Sequence, residues 1–197
     1  MQTNLINICV LGEKEVGKTV YSKTLCNKEF KSNTKIQPTI TDTYYSLCQN
    51  YKKKIFKINF IDTVGSDFVY EDTISKCTAF IIMFSYNNIE SFNNIPMYLR
   101  MIKRTNKIDC PIIIVGNKYN FSGPELPFKI KDLKSNGFPY ICIDSFSDYK
   151  QVYESFELLL KSWEKKYEIK EPVSIQIYQS INQSKNKFTS FLKKYII

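Results

Sequence analysis

The chain has 197 residues, a formal net charge of +9, 43% apolar residues and 24% charged ones, enough for one domain with a full core. It contains no histidine, which excludes Ser-His-Asp and Cys-His nucleophilic catalysis, His-ligated zinc and imidazole acid–base work. No apolar run of ~18 residues is present, so no spanning helix is expected.

Residues 5–11 (LINICVL) form a short apolar run ending at Gly12, a strand. Residues 16–26 read as a helix opened by Gly17. Residues 54–61 (KIFKINFI) are β-rich and end at Asp62. Residues 79–86 (AFIIMFSY) are continuously apolar, as in a strand buried on both faces. Residues 91–105 put Phe92, Ile95, Leu99 and Ile102 on one helical face, with Pro96 predicting a late start or kink near Asn94. Residues 111–115 (PIIIV), stopped by Gly116, and 139–143 (PYICI) are two more strands. Residues 150–167 carry Val152, Phe156, Leu159, Leu160 and Trp163 at helical spacing. Strands alternating with helices imply parallel pairing and a three-layer α/β sandwich.

The basic residues are scattered, with no block longer than Lys52-Lys53-Lys54. With no aromatic–basic stripe, they read as a solvated surface and no nucleic-acid partner is expected. Six dispersed cysteines without C-x-x-C fit reduced thiols of a cytosolic protein.

The glycine loop is the strongest chemical signal. Gly12-Glu13-Lys14-Glu15-Val16-Gly17-Lys18-Thr19 fits G-x-x-x-x-G-K-[ST], follows a strand and opens a helix. Glycines let backbone N–H groups turn toward phosphate oxygens, and the helix amino terminus adds a positive dipole end. Lys18 can reach β- and γ-phosphates, and the Thr19 hydroxyl can ligate Mg²⁺. Asp62-Thr63-Val64-Gly65 follows a strand, which suits Asp62 to outer-shell Mg²⁺ binding and the Gly65 N–H to a γ-phosphate.

With Asn117-Lys118-Tyr119-Asn120 in place, residues 4–167 resemble a Ras-superfamily small GTPase, closest to the Ras subfamily. Residues 38–44 (PTITDTY), 84–88 and Ser91-Phe92 add to that likeness. The resemblance implies a P-loop NTPase fold with a six-stranded, mostly parallel sheet and about five helices. It implies a Mg²⁺-dependent GTP/GDP switch that signals to effectors. Phosphate binding would fall to Gly12, Lys14, Glu15, Val16, Gly17, Lys18 and Thr19. The base would lie against Asn117, Lys118, Asn120, Ser145 and Phe146. Mg²⁺ would take Thr19, Thr39 and, in its outer shell, Asp62. Catalysis would rest on Lys18, Thr39, Gly65 and Ser66.

Several positions depart from the family pattern. Ser66 stands where the water-positioning glutamine is usual and is too short to reach that water. Lys14 replaces a small glycine and crowds the water and any arginine finger, an aid worth about 10³–10⁵ in rate. Slow hydrolysis and poor activation are therefore expected. Asn120 stands in place of the aspartate that accepts two guanine hydrogen bonds, a loss of about 30- to 100-fold in affinity that also erodes rejection of xanthine and adenine. Phe146 puts the shape of the last base loop in question. Ser32 replaces the aromatic that braces the base, with Phe30 nearby, and Ile36 sits where a switch tyrosine is usual. The alternative is a pseudo-GTPase, an interaction module with weak or no guanine nucleotide binding.

The domain is expected over 1–170 and a basic tail over 171–197. The tail either packs back on the domain or stays disordered, or it touches a partner or, weakly through its lysines, a membrane surface. The terminal residues 194–197 (KYII) hold no C-a-a-X box and residue 2 is Gln2, so no prenyl or myristoyl anchor is expected. The expected location is cytoplasmic, with conditional contact at the inner membrane face. Effectors are expected on residues 39–45 (TITDTYY) and 66–76, with exchange and activating factors as further partners.

Overall fold

The computed structural model describes residues 3–26, 43–51, 54–64, 71–106, 109–123, 137–145 and 148–167. Six strands form one sheet: β1 Thr3–Leu11, β2 Thr43–Tyr51, β3 Lys54–Asp62, β4 Ala79–Ser85, β5 Ile112–Asn117 and β6 Tyr140–Ile143. Their spatial order is β2-β3-β1-β4-β5-β6, with β2 antiparallel to β3 and all other neighbours parallel. Five helices are present among the described residues: α1 Lys18–Leu25, α2 Glu71–Ser75, α3 Ile89–Asn93, α4 Ile95–Thr105 and α5 Tyr149–Lys166. This is the six-stranded P-loop α/β fold expected from the sequence.

The alternation of side chains along each strand divides the core between two faces. On one face, Ile6, Ile8, Val10, Phe56, Ile58 and Phe60 are buried. Phe56 meets Trp163 edge-on at 5.8 Å and Phe60 meets Phe156 at 5.6 Å, which seats α5 on that face. The Tyr21 and Ser155 hydroxyls share a 2.7 Å hydrogen bond, so the polar tips of α1 and α5 satisfy each other inside the core. On the other face Cys9, Leu11, Phe80, Ile82, Phe84 and Ile114 pack with Ile74, Ile95, Tyr98 and Ile102 of α2 and α4. Six consecutive residues of β4, Ala79–Phe84, are inaccessible because β1 and β5 flank it and helices cover both sides.

Three local expectations change. β2 was not anticipated as a strand; it pairs with β3 over the full register from Thr43↔Asp62 to Tyr51↔Lys54. β5 does not stop at Gly116 but runs to Asn117. A Cβ on Gly116 would lie 2.6 Å from Tyr86 Cε2 and 2.7 Å from Phe84 Cζ, so glycine here admits two rings against the strand rather than ending it. The segment 91–105 is two helices broken at Asn94. With Pro96 in its first turn, α4 restarts the register, so Tyr98, not Leu99, is the fully buried residue beside Ile95 and Ile102.

All six cysteines are free thiols, three of them buried. No described helix is long and apolar enough to cross a membrane. One compact unit runs Met1–Trp163; Glu164–Ile197 groups separately, its described residues ending at Tyr167. The predicted tail, 171–197, lies outside the described residues.

Candidate functional site

The strand order reverses direction at β1, which has β3 on one side and β4 on the other. The carboxyl end of such a strand opens into a crevice where α/β sheets take ligands. The loop 12–17 leaves β1 at this point. Gly12 has φ 143 and Gly17 φ 102, backbone that side chains rarely adopt. A Cβ on Gly12 would meet Met83 O at 2.2 Å, and one on Gly17 would meet Asn117 Nδ2 at 2.4 Å. Gly17 also supplies no side-chain cap to α1, leaving the first-turn N–H groups available for an anion.

The Lys18 ammonium is held inside the loop, donating to Gly12 O at 2.9 Å and Glu13 O at 2.7 Å. Burial lowers its pKa to about 8, opposed by the carboxylates of Asp62 and Glu13 and by Cys9. Thr19 Oγ1 donates to Asp62 Oδ2 at 2.7 Å, joining the start of α1 to the end of β3. Thr63, next in the chain, donates from its hydroxyl to Val10 O at 2.8 Å and fixes β3 against β1 beneath the loop.

Asn117 draws the rest together. Its Nδ2 donates to Val16 O at 3.0 Å. Its Oδ1 accepts from Tyr119 N at 3.2 Å and Ser145 N at 3.3 Å. One buried amide therefore ties the phosphate-type loop, the β5 turn and the β6 turn. Lys118 N donates to Ile143 O at 2.8 Å, completing the junction. Asn120 is exposed and stands at φ 54, a left-handed conformation that asparagine tolerates. Ser145 is fully buried, and its Oγ has no hydrogen-bond partner among the described residues.

The predicted site residues thus converge from four separate segments: Gly12, Val16, Gly17, Lys18 and Thr19; Asp62; Asn117, Lys118 and Asn120; and Ser145. Lys14 and Glu15 are exposed, Glu15 at φ 64. Thr39, Gly65, Ser66 and Phe146 lie outside the described residues, as do Phe30, Ser32 and Ile36. Of the stretch 66–76, helix α2 is described, and its Glu71 pairs with Arg104 of α4.

The donor set suits a hard cation. Mg²⁺ takes one or two protein oxygens, keeps waters and completes its shell with phosphate. A threonine hydroxyl bonded to a carboxylate is such a set, and no cluster of three or more His, Cys, Asp or Glu is present among the described residues.

Glu13 is a residue of this site that the loop motif does not mark. Its Oε1 accepts from Asn94 Nδ2 at 3.0 Å and from Tyr98 Oη at 3.0 Å. No spacing rule announces partners 81 and 85 residues downstream; the signal is structural, the buried hydroxyl of Tyr98 requiring an acceptor.

A family model described as "Ras family" matches residues 7–165. The chain is 29% identical over 119 residues to Ras-like protein rasX of Dictyostelium discoideum, covering 58% of this chain and 54% of that protein. It is 32% identical over 122 residues to GTP-binding protein drn-1 of Caenorhabditis elegans, covering 59% and 55%. It is 30% identical over 122 residues to Ras-like protein 2 of Drosophila melanogaster, covering 60% and 62%. The chain spans about half the length of the first of these relatives. With the fold and the converging loops, the match over 7–165 makes this chain a member of the Ras family of small GTPases.

Proposed function

We propose that the chain is a Mg²⁺-dependent guanine-nucleotide switch that hydrolyses GTP slowly and signals to effector proteins. The observation that carries this reading is the amide of Asn117, bonded at once to Val16 O and Ser145 N. Those two bonds join the glycine loop, where the phosphates would lie, to the turns after β5 and β6, where the base would lie. In this reading the loop N–H groups and Lys18 neutralise the β- and γ-phosphates. Thr19 holds Mg²⁺ directly and Asp62 orients its outer shell. When bound there, Mg²⁺ would supply positive charge against the negative charge developing on the transferring phosphate. Thr39 and Gly65 would order only when a γ-phosphate is present, which makes the state readable by partners at 39–45 and 66–76. Ser66 leaves the attacking water without a side chain to orient it, so turnover is slow.

Asn120 favours a second reading, an interaction module that has lost guanine nucleotide. The two separate on one measurement: the nucleotide released by denaturing the purified chain, followed by Mg²⁺-dependent titrations with fluorescent GDP and ADP. Near-stoichiometric GDP or GTP is expected. An empty chain that binds neither probe overturns the switch.

The reading extends to a cytoplasmic protein met by exchange and activating factors, with the lysines of 171–197 adding weak attraction to anionic lipid. A salt-resistant membrane pool on fractionation would contradict that last point.

A further inference from the structure

Glu13 is gripped at both ends. Lys18 Nζ donates to its main-chain oxygen at 2.7 Å, and its carboxylate accepts from Asn94 and Tyr98 at 3.0 Å each. Asn94 sits at the break between α3 and α4, where its side chain makes no cap to α4 and reaches Glu13 instead. Tyr98 is 1% exposed, so its hydroxyl is fixed by core packing. Both donors are neutral and the acceptor is a carboxylate, the stronger kind of hydrogen bond.

The loop needs such a hold. Between Gly12 and Gly17 it has no glycine, yet Glu15 stands at φ 64. A non-glycine residue stays in that region only where its surroundings over-determine it. The grip of Lys18 on Glu13 O is also conditional, because a bound phosphate competes for the same ammonium. The carboxylate tether faces no such competition.

We propose that Glu13 is a positioning residue: it ties the 12–17 loop to the start of α4 and so sets how long phosphate stays bound. This rests on the nucleotide-binding reading above. The tether holds the loop N–H groups converged whether or not Lys18 has turned to the ligand.

The test uses the full chain loaded with fluorescent GDP and Mg²⁺. Glu13→Ala accelerates dissociation about tenfold, the effect of losing one charge-assisted bond pair. Tyr98→Phe accelerates it less, and the Glu13→Ala/Tyr98→Phe double variant is no faster than Glu13→Ala alone. Glu13→Gln, which keeps a carbonyl oxygen for Tyr98, restores most of the residence time. Asn106→Ala, which removes an unrelated bond to Ile74 O, lowers Tm without moving dissociation. Additive effects of the two substitutions, or wild-type dissociation in Glu13→Ala, overturn the proposal. If the wild type binds no guanine nucleotide, the switch reading fails by itself. The tether is then judged by hydrogen exchange in the empty chain, where Glu13→Ala must lose protection at residues 14–18; unchanged protection overturns it.

Discussion

Thr19 and Asp62, 43 residues apart in sequence, share a 2.7 Å hydrogen bond that joins the start of α1 to the end of β3. It sets a hydroxyl oxygen and a carboxylate side by side at the amino terminus of α1. On the proposed reading, replacing Thr19 by Ala would remove the direct Mg²⁺ oxygen and leave the carboxylate in place. The Mg²⁺ concentration giving half-maximal nucleotide retention should rise at least about tenfold. EDTA should speed nucleotide release strongly in the wild type and little in Thr19→Ala.

Lys18 imposes a pH dependence. Folded, it releases its proton near pH 8 because it is buried; unfolded, near 10.5. Between those values the unfolded chain holds more protons, so the empty chain gains stability as pH rises, by at most about 3 kcal/mol. Phosphate binding has the opposite sign, since it requires the ammonium. Affinity should be flat below about pH 8 and fall by up to about tenfold per unit above it. Denaturant titrations and nucleotide titrations from pH 6.5 to 9.5 check both, with Lys18→Met removing both trends.

On the proposed reading, Asn120 would set base choice. Asn120→Asp supplies a second acceptor for guanine and should tighten GDP about 30- to 100-fold. The native amide carries one acceptor and one donor, which matches the N–H and carbonyl that xanthine presents on that edge. Competition of XDP, GDP and ADP against a fluorescent nucleotide should therefore place XDP ahead of GDP in the wild type and reverse the order in Asn120→Asp.

Turnover should respond to Ser66 and Lys14 together. Ser66→Gln should raise single-turnover GTP hydrolysis at least about tenfold by orienting the water. Lys14→Gly should raise the intrinsic rate less than Ser66→Gln does and restore response to an arginine finger supplied in trans. A wild-type rate already equal to that of Ser66→Gln would remove the argument for slow hydrolysis.

Gly17→Ala tests the junction itself. Its Cβ would fall 2.4 Å from Asn117 Nδ2 and needs φ 102. The bond from Asn117 to Val16 O must break, and nucleotide binding should be lost while circular dichroism retains the sheet.

The fold class was legible in the sequence, and so were the segments that meet at the end of β1. Apolar runs such as 79–86, short and rich in β-branched and aromatic residues, read as strands buried on both faces. Gly12 and Gly17 name the loop because only glycine adopts φ 143 and φ 102 beside Met83 O and Asn117 Nδ2. Local rules failed where a distant partner decides the outcome. β2, with Tyr44 66% exposed at the sheet edge, has little apolar periodicity and exists through its ladder with β3. Gly116, a breaker by composition, stays in β5 because the rings of Phe84 and Tyr86 need the space. The roles of Glu13 and Asn117 arise from contacts with residues 81 to 101 positions away. Hydrogen bonds of that range carry no spacing signature, so only the tertiary structure, by bringing four segments to one strand end, could decide them.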